Sequence, residues 1–583
     1  MNNPVEVWLR ELKAAPGSLP LAALSALLSL LAVAFWWQTA LGTAAARLAA
    51  LQPIEPYGFA VYHQIVHNLA LHDSFAQTIH TGYDPTWTWS GHRAPILFPV
   101  AWLYSLAPSG QQLMNLQVTG VALGAIPAMG LGRQALRHPL GWMLGAALYL
   151  GCGPTLAMAL QDYQDLVFAL PALVLFAWSL GKQDPAWLVL GVLAAILPRE
   201  ETLPIAVALA VLLPPFDDRG ALKPRRWLGN VAFTALSVGA YALWSQWAFP
   251  AEQTGYNMPM VNAVGGLGGG SSEITLHGYL ARDDFYADML HPGGWTGLLA
   301  PGPLLLGLAL SLFHMALPLG QGIDRAWSGH AHHLAPAVAL FVIAAIRGAG
   351  RLVLLPERLS VSRRLQWGVE GLLLALVLAV STTSALSFAR AQNVLWAPAR
   401  PHWVHPGWAL ARQIPADAVP ITTTDLAPLV SDRAVAYTAN DSLEDKAPGR
   451  GLGVGTHALF HRDDAQIRQR VLAMPGATLV AESAPFMLYT WDRGARDPAG
   501  SFPREEGFHR PPPFLGPYSL AEEIPGIAPY QDTLQWHQGE HPPAIVIPWL
   551  DGKAPPAAPL EGGPGAPPQS PQRSPMPAPH SPR

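Results

Sequence analysis

Long apolar runs recur along this chain from its first tens of residues to about residue 388, and they constrain its fold more than any other feature. Half of the 583 residues are hydrophobic and only 13% are charged. A helix of roughly 20 apolar residues spans the hydrocarbon core of a bilayer. We therefore predict a polytopic α-helical membrane protein. The formal charge of −4 gives no indication of a nucleic-acid partner, and one cysteine, Cys152, leaves no pair for a disulfide or a thiolate metal site.

Eleven segments are candidate transmembrane helices. The first, Leu19 to Trp37, could be a signal-peptide core, because small residues that a peptidase could cleave follow it at 43–46. Its length and the interfacial pair Trp36-Trp37 favour an uncleaved span. The other ten lie near 113–131, 139–157, 165–181, 186–198, 203–216, 227–248, 285–300, 303–318, 333–348 and 367–388.

Lysine and arginine in the short loops indicate the orientation, because they concentrate on the cytoplasmic side. If the eleven segments alternate, every basic cluster falls on the same side: Arg10 and Lys13, Arg133 and Arg137, Lys182, Arg219 to Arg226, and Arg347 to Arg364. This alternation requires the apolar stretch 94–107 to be a helix on the outer surface. It also requires residues 186–216 to be a hairpin, with Arg199, Glu200 and Glu201 at its outer tip.

Each arm of that hairpin has about 13 apolar residues, or roughly 20 Å of helix against about 30 Å of hydrocarbon. The tip should therefore lie below the outer membrane surface. Ionisable groups at such depth are costly unless they face a wet cavity or each other, and they indicate a functional site. The alternative is structural, with Arg199 pairing with one of the two glutamates to close the turn.

Three further outer loops carry polar residues toward the same face. The first loop, about 42–112, is the longest, and the others are 161–165 and 329–333. A carboxylate can act as general base on an acceptor hydroxyl, while arginine and histidine neutralise the phosphate of a polyprenyl carrier. The candidates are Glu55, His63, His67, Asp73, Asp84, Trp87, Trp89, His92, Arg93, Asp162, Asp165, His330, His332 and His333.

Two groups of these residues have alternative interpretations. Trp87 and Trp89 could stack on a sugar, or they could anchor the loop at the membrane interface. The histidines of 330–333 could contact phosphate or substrate, or be structural. A divalent metal there is not favoured, because adjacent imidazoles on one short loop are poorly placed to share an ion.

Four short motifs, in order, resemble those of the bacterial membrane proteins grouped as domain of unknown function 2079, relatives of the GT-C glycosyltransferases. Gly91 to Leu97 resembles His-Phe-Ser-Pro-Ile-Leu, and Asp162 to Pro171 resembles Asp-Phe-His-Pro-Glu-Ala-Leu-Ala-Leu-Pro. Arg199 to Glu201 takes the place of Lys-Glu-Asp, and His332 to Pro336 resembles His-Tyr-Ser-Ala-Pro. The resemblance covers about residues 50–500.

The resemblance implies a GT-C-like fold, a polyprenyl-phosphate sugar as donor, and an acidic base early in the first outer loop. Where the family has Phe-Asp-Leu-Gly-Ile-Phe-Asp-Gln, this chain has Tyr57 to Gln64, so that Gly58 and His63 replace the two aspartates. Glu55 is the best remaining candidate for the base and Asp162 the second. A relative that has lost catalysis and binds a lipid or a partner is the alternative.

After the last apolar segment the composition changes. Residues 389–550 are expected to form a small extracytoplasmic α/β domain, with strand, short helix and strand over 419–437 and another strand at 477–481. Residues 551–583 are rich in Pro, Ala, Gly and Ser, which predicts disorder. We expect the transmembrane domain, 1–388, to lie in a bacterial inner membrane with the C-terminal domain in the periplasm.

The candidate residues are predicted to have different roles. Arg199 would hold phosphate with help from His332 or His333, and Glu200 or Glu201 would orient Arg199 or the acceptor. We rank a transporter below the glycosyltransferase and the binding protein, because internal repeats and polar positions along several spans are not evident.

Overall fold

The computed structural model describes residues 19–51, 56–72, 78–79, 93–136, 140–182, 184–215, 222–248, 283–316, 332–353, 355, 363–391, 405–416, 418–433, 435–438 and 455–492. The described chain is mostly helical. Its helices up to residue 248 are α1 Leu19–Ala49, α2 Pro56–His72, α3 Leu97–Tyr104, α4 Gly110–Leu123, α5 Ala125–Leu136, α6 Gly141–Leu150, α7 Gly153–Leu160, α8 Ala169–Gly181, α9 Pro185–Ile196, α10 Thr202–Leu212 and α11 Pro224–Ala248. After it come α12 Asp283–Leu290, α13 Pro301–Ala316, α14 Ala335–Val353, α15 Arg363–Ala391, α16 Gly407–Ala411 and α17 Ala465–Leu472.

Within the described residues, three helices are long and apolar enough to cross a membrane: Ala23–Ala49, Gly110–Leu136 and Ala335–Val353. The pair α6 and α7 is a fourth candidate, bent by 56° at its break. Most other predicted spans coincide with shorter or less apolar helices, so the total of eleven stays a prediction. The apolar stretch 94–107 contains only the eight-residue α3, which at about 12 Å is too short to cross.

The predicted span 285–300 is wrong as a continuous helix. The chain there forms α12 and then two 3-10 turns, His291–Gly293 and Thr296–Leu299. Gly294 and Trp295 break the helix, because both have positive φ, 58° and 61°. The Thr296 hydroxyl then lies 3.0 Å from the carbonyl oxygen of Ala345, which packs this broken segment against α14.

Polar contacts made by the start of α11 show that α9 and α10 form the predicted hairpin. The indole of Trp227 in α11 donates to the Val211 carbonyl near the end of α10, at 3.1 Å. Asn230 in α11 lies 3.4 Å from the Leu180 carbonyl at the end of α8. The ends of α8 and α10 and the start of α11 therefore share one end of the bundle, and residues 197–201, which join α9 to α10, lie at the other.

The C-terminal residues form a five-stranded sheet of order β2-β1-β3-β5-β4. Its strands are β1 Pro420–Thr422, β2 Tyr437–Thr438, β3 His457–His461, β4 Thr478–Ser483 and β5 Phe486–Thr490. β1 pairs in parallel with β2 and β3, while β5 is antiparallel to β3 and β4. The predicted strand at 477–481 corresponds to β4. The domain limits at 389 and 550 stay predictions, and 551–583 lie outside the described residues.

The sheet domain is attached to the helical bundle by buried hydrogen bonds. The backbone amide of His405 donates to the Ala49 carbonyl at 2.9 Å, which caps the last turn of α1. The hydroxyl of Thr78, in the first outer loop, donates to the Ala436 carbonyl at 2.6 Å, and Thr438 donates back to the Ile79 carbonyl at 3.1 Å. Residues 78–79 and the C-terminal sheet are thus packed together.

Candidate functional site

A buried arginine organises the candidate site. Arg199 is 1% exposed, and its Nη2 donates to the Tyr62 hydroxyl at 2.8 Å and to Asp165 Oδ1. Tyr62 also donates to Asp165 Oδ1 at 3.3 Å, so these three side chains form a closed triangle. Glu201 Oε1 lies 4.0 Å from Arg199 Nη1. We call Tyr62, Asp165, Arg199 and Glu201 the Arg199 cluster.

Three separate segments place these side chains. Arg199 and Glu201 lie in the hairpin tip, where the Thr202 hydroxyl donates to the Arg199 carbonyl at 2.6 Å as α10 begins. Asp165 opens a 3-10 turn, and its Oδ1 accepts the backbone N–H of Leu166 at 2.7 Å. Tyr62 comes from the middle of α2. The predicted structural alternative, in which Arg199 pairs mainly with a neighbouring glutamate, does not describe this geometry, because Asp165 makes the direct contact.

The segment that follows the gap in the first outer loop is fixed to the hairpin tip. Glu200 Oε2 accepts the backbone N–H of Arg93 at 2.8 Å, and the Leu197 carbonyl accepts the N–H of Ile96 at 2.8 Å. The guanidinium of Arg93 is buried and donates to Ser245 near the end of α11 at 2.5 Å. Arg93, Glu200 and the Arg199 cluster are therefore parts of one buried polar region.

Several buried atoms of this region have no hydrogen-bond partner among the described residues. They are Arg199 Nε and Nη1, Asp165 Oδ2 and the hydroxyl of Tyr163. An unpartnered buried polar atom costs about 1–3 kcal/mol, so such a group indicates bound water or a ligand. The unpartnered set includes donors and a carboxylate acceptor, which suits a ligand that carries both oxyanions and hydroxyls.

The last predicted loop also reaches the cluster. The 3-10 turn His332–Leu334 packs against the turn Asp165–Phe168, and the side chain of His333 is half-buried. The side chain of His332 lies outside the described residues, as do Glu55, Asp73, Asp84, Trp87, Trp89, His92 and His330. The four loops that the sequence predicted to converge therefore lie close together. They contribute Tyr62, Arg93, Asp165, Arg199 and the His332–Leu334 turn.

Asp162 belongs to a neighbouring contact. It is buried, and its electrostatic partner is Arg47 in the last turn of α1. Arg47 Nη1 also donates to the Leu160 carbonyl at 3.3 Å. Gln117 of α4 holds the loop between the two aspartates, since its amide donates to the Gln161 carbonyl at 2.8 Å and accepts the N–H of Gln164 at 2.9 Å. The two aspartates of one loop therefore serve two different arginines.

Sequence reasoning missed Tyr62, although a signal was available. Residues 58 and 62 lie one turn apart on α2, so Tyr62 shares a helix face with the position where the family has its first aspartate. The second replaced position, His63, contacts the C-terminal domain. Its Nδ1 lies 2.7 Å from the Ser431 hydroxyl and its Nε2 lies 2.8 Å from the Tyr104 hydroxyl.

Burial governs the ionisation of His63, which lies on α2, outside the candidate membrane spans. Removal from water lowers the pKa of its imidazole from 6.5 to about 4, and the charge of Asp432 opposes this shift only in part. His63 is therefore neutral at pH 7 and acts as a structural link. Among the described residues, no three His, Cys, Asp or Glu side chains come together as a set of metal ligands.

Comparison with solved structures finds distant similarities. The chain matches ArnT from Cupriavidus metallidurans bound to undecaprenyl phosphate at 12% identity and a TM-score of 0.45, over 79% of this chain and 97% of that chain. For the apo state of the same protein the values are 12% and 0.43, over 74% and 92%. For an Archaeoglobus fulgidus oligosaccharyltransferase with Zn and sulfate they are 10% and 0.37, over 77% and 72%.

Comparison with curated protein sequences finds no match. A family model described as predicted membrane protein (DUF2079) matches residues 56–448, about two thirds of the chain and all of the segments that build the Arg199 cluster. The chain belongs to this DUF2079 family of predicted membrane proteins.

Proposed function

We propose that this protein is a GT-C-type membrane glycosyltransferase that moves a sugar from a polyprenyl-phosphate donor to an acceptor at the periplasmic face of a bacterial inner membrane. The observation that carries the proposal is Arg199, a buried guanidinium whose Nε and Nη1 have no hydrogen-bond partner among the described residues. It lies beside Asp165, whose Oδ2 is unpartnered in the same way. The resemblance of four ordered motifs to a glycosyltransferase-related family supports the same assignment.

Arg199 is suited to hold the phosphate. Because Asp165 and Tyr62 hold Nη2, the guanidinium is fixed in position, and Nε and Nη1, which point to different sides of it, can each donate to an oxyanion. The surrounding region holds three carboxylates, Asp165, Glu200 and Glu201, against the two arginines Arg93 and Arg199. A phosphate therefore needs further positive charge, which His332 or His333 can supply when protonated.

The general base is proposed to be Glu55 or Asp162. A base must come within about 2.6–3.2 Å of the acceptor hydroxyl. Asp165 is the third candidate, through Oδ2, because its Oδ1 is already bound to Arg199, Tyr62 and the Leu166 amide. Trp87, Trp89 and His92 belong to the same loop as Glu55 and are proposed to contact the sugar or the acceptor.

A specific observation favours a second candidate function, binding of a polyprenyl phosphate without transfer. The family's second aspartate is replaced by His63, which is committed to Ser431 and Tyr104, and the first is replaced by Gly58. Tyr62, from the same helix face as Gly58, closes the Arg199 cluster with its hydroxyl. These features suit a protein that has kept phosphate recognition and lost the base.

A turnover assay on the purified protein with radiolabelled lipid-linked sugars separates the two functions. For an enzyme, Arg199→Ala should lower turnover at least about 100-fold, because it removes a preorganised donor to the phosphate. Glu55→Gln or Asp162→Asn should lower it about 100-fold or more if that residue is the base. The control is Asp184→Asn, which alters the capping residue of α9 at the far end of the hairpin and should leave turnover unchanged.

The outcomes are distinct. Unchanged turnover in Arg199→Ala, Glu55→Gln and Asp162→Asn would rule out this site. If no donor is turned over but wild type binds polyprenyl phosphate and Arg199→Ala does not, the binding function replaces the enzyme. A gain of turnover in Gly58→Asp would then identify the missing aspartate as the reason.

A further inference from the structure

The C-terminal end of α14 carries two arginines whose charges are not compensated within the described residues. Arg347 is half-buried, and its Nε is shielded from solvent with no hydrogen-bond partner there. Arg351, one turn later, is exposed, and its Nη1 donates to the Leu299 carbonyl. The charged group that acts on Arg347 is Arg351, of the same sign.

An anion bound to both guanidinium groups would stabilise this arrangement. A partly buried guanidinium without a carboxylate partner is costly, because desolvation is not offset by an opposite charge. Two like charges one helical turn apart add repulsion. A phosphate that accepts from both guanidinium groups would remove both costs, since arginine binds phosphate oxygens through directional N–H donors.

The surroundings of the arginines indicate where this phosphate comes from. The broken segment beside them exposes large apolar side chains: Trp295 and Leu299 are each 44% exposed and Leu298 is 57% exposed. Arg351 binds the backbone of Leu299 itself, so the charged and apolar groups adjoin. Tryptophan at such a position is typical of the headgroup level of a membrane.

We propose that Arg347 and Arg351 bind the phosphate of an anionic glycerophospholipid, whose acyl chains lie against Leu298 and Leu299. The site lies toward the opposite end of α14 from the His332–Leu334 turn, since Arg347 and Arg351 come 13 and 17 residues after Leu334, or about 20 and 25 Å along the helix. It is therefore separate from the Arg199 cluster and does not rest on the proposed function. An anionic lipid bound there would hold the broken segment 291–299 against α14.

The test is a native mass spectrometry titration of the detergent-purified full chain with phosphatidylglycerol and with phosphatidylcholine. Each of Arg347→Gln and Arg351→Gln should weaken phosphatidylglycerol binding about fivefold, and the double variant about 25-fold. Phosphatidylcholine should bind more weakly and respond little. The matched control is Arg225→Gln, an exposed arginine in the first turn of α11, which should change binding less than about twofold.

Three results would overturn the proposal: an equal loss in Arg225→Gln, equal affinity for the two lipids, or complete displacement of phosphatidylglycerol by millimolar inorganic phosphate, which would indicate a site for the free ion. If the double glutamine variant does not remain monodisperse, the double Arg→Lys variant tests the same point. It keeps both charges and should retain selectivity for phosphatidylglycerol, and loss of that selectivity would count against a charge-based site.

Discussion

The Asp165→Asn variant should destabilise the folded protein by about 3 kcal/mol, because it removes the charge that compensates buried Arg199. Asparagine keeps the volume of the side chain and an oxygen that can accept from the Leu166 amide, now 2.7 Å away. What is lost is the ion pair. Removing one partner of a buried pair costs about 3–5 kcal/mol. Glu201 Oε1, 4.0 Å from Arg199 Nη1, still compensates part of the arginine charge, so we expect a value at the lower end of this range.

The assay is reversible unfolding of the purified protein in mixed micelles by SDS titration, followed by circular dichroism. The control is Glu200→Gln, which keeps an oxygen to accept the Arg93 amide and should change the free energy of unfolding by less than about 1 kcal/mol. A double-mutant cycle of Asp165→Asn with Arg199→Met should give a coupling energy of at least about 2 kcal/mol. Additivity within about 0.5 kcal/mol would refute the ion pair as the organiser of the site.

Two further predictions concern stability. Folded His63 stays neutral down to about pH 4 while the unfolded residue titrates near 6.5, so the unfolded state binds more protons between these values, and stability should fall as pH drops through this window. The loss should approach about 3 kcal/mol and be smaller in His63→Gln, and an identical pH profile for the two proteins would contradict it. Gly145→Ala should destabilise by about 1–3 kcal/mol, since its Cβ would lie 2.0 Å from the Ala128 carbonyl oxygen. The matched control in thermal unfolding is Gly239→Ala in α11, where a Cβ meets nothing within 4 Å, and equal effects of the two would be inconsistent with close packing of α5 and α6.

The hairpin tip illustrates how far sequence reasoning reaches. The apolar pattern and the loop charges predicted that residues 186–216 turn back at Arg199, and the contacts of Trp227 and Asn230 agree. The same reasoning was wrong for 285–300, where apolar composition is high but two consecutive residues with positive φ, Gly294 and Trp295, interrupt the helix. Composition indicates burial in hydrocarbon, whereas backbone dihedral angles depend on what the segment packs against.

The sequence predicted which residue types and which loops belong to the candidate site, but it did not predict which of these residues contact each other. Asp162 and Asp165 are equivalent by composition and three residues apart, yet one serves Arg47 and the other Arg199. Gln117 holds the backbone of this loop through hydrogen bonds to Gln161 and Gln164. Tyr62 was missed although it lies one helical turn from Gly58, because a tyrosine in an apolar helix does not by itself indicate a contact with a charged residue.

The sequence by itself determined the membrane class, most of the helices, the family and the set of loops that carry charge. These properties are local or compositional, since hydrophobic periodicity and loop charge act over a few residues to a few turns. Only the tertiary structure decided that Arg199 meets Asp165 and Tyr62, which are 34 and 137 residues away along the chain. It likewise decided that His63 binds Ser431 across 368 residues. Such pairings depend on how α2, the 161–165 loop, the hairpin tip and the C-terminal domain pack together, and no local pattern encodes them.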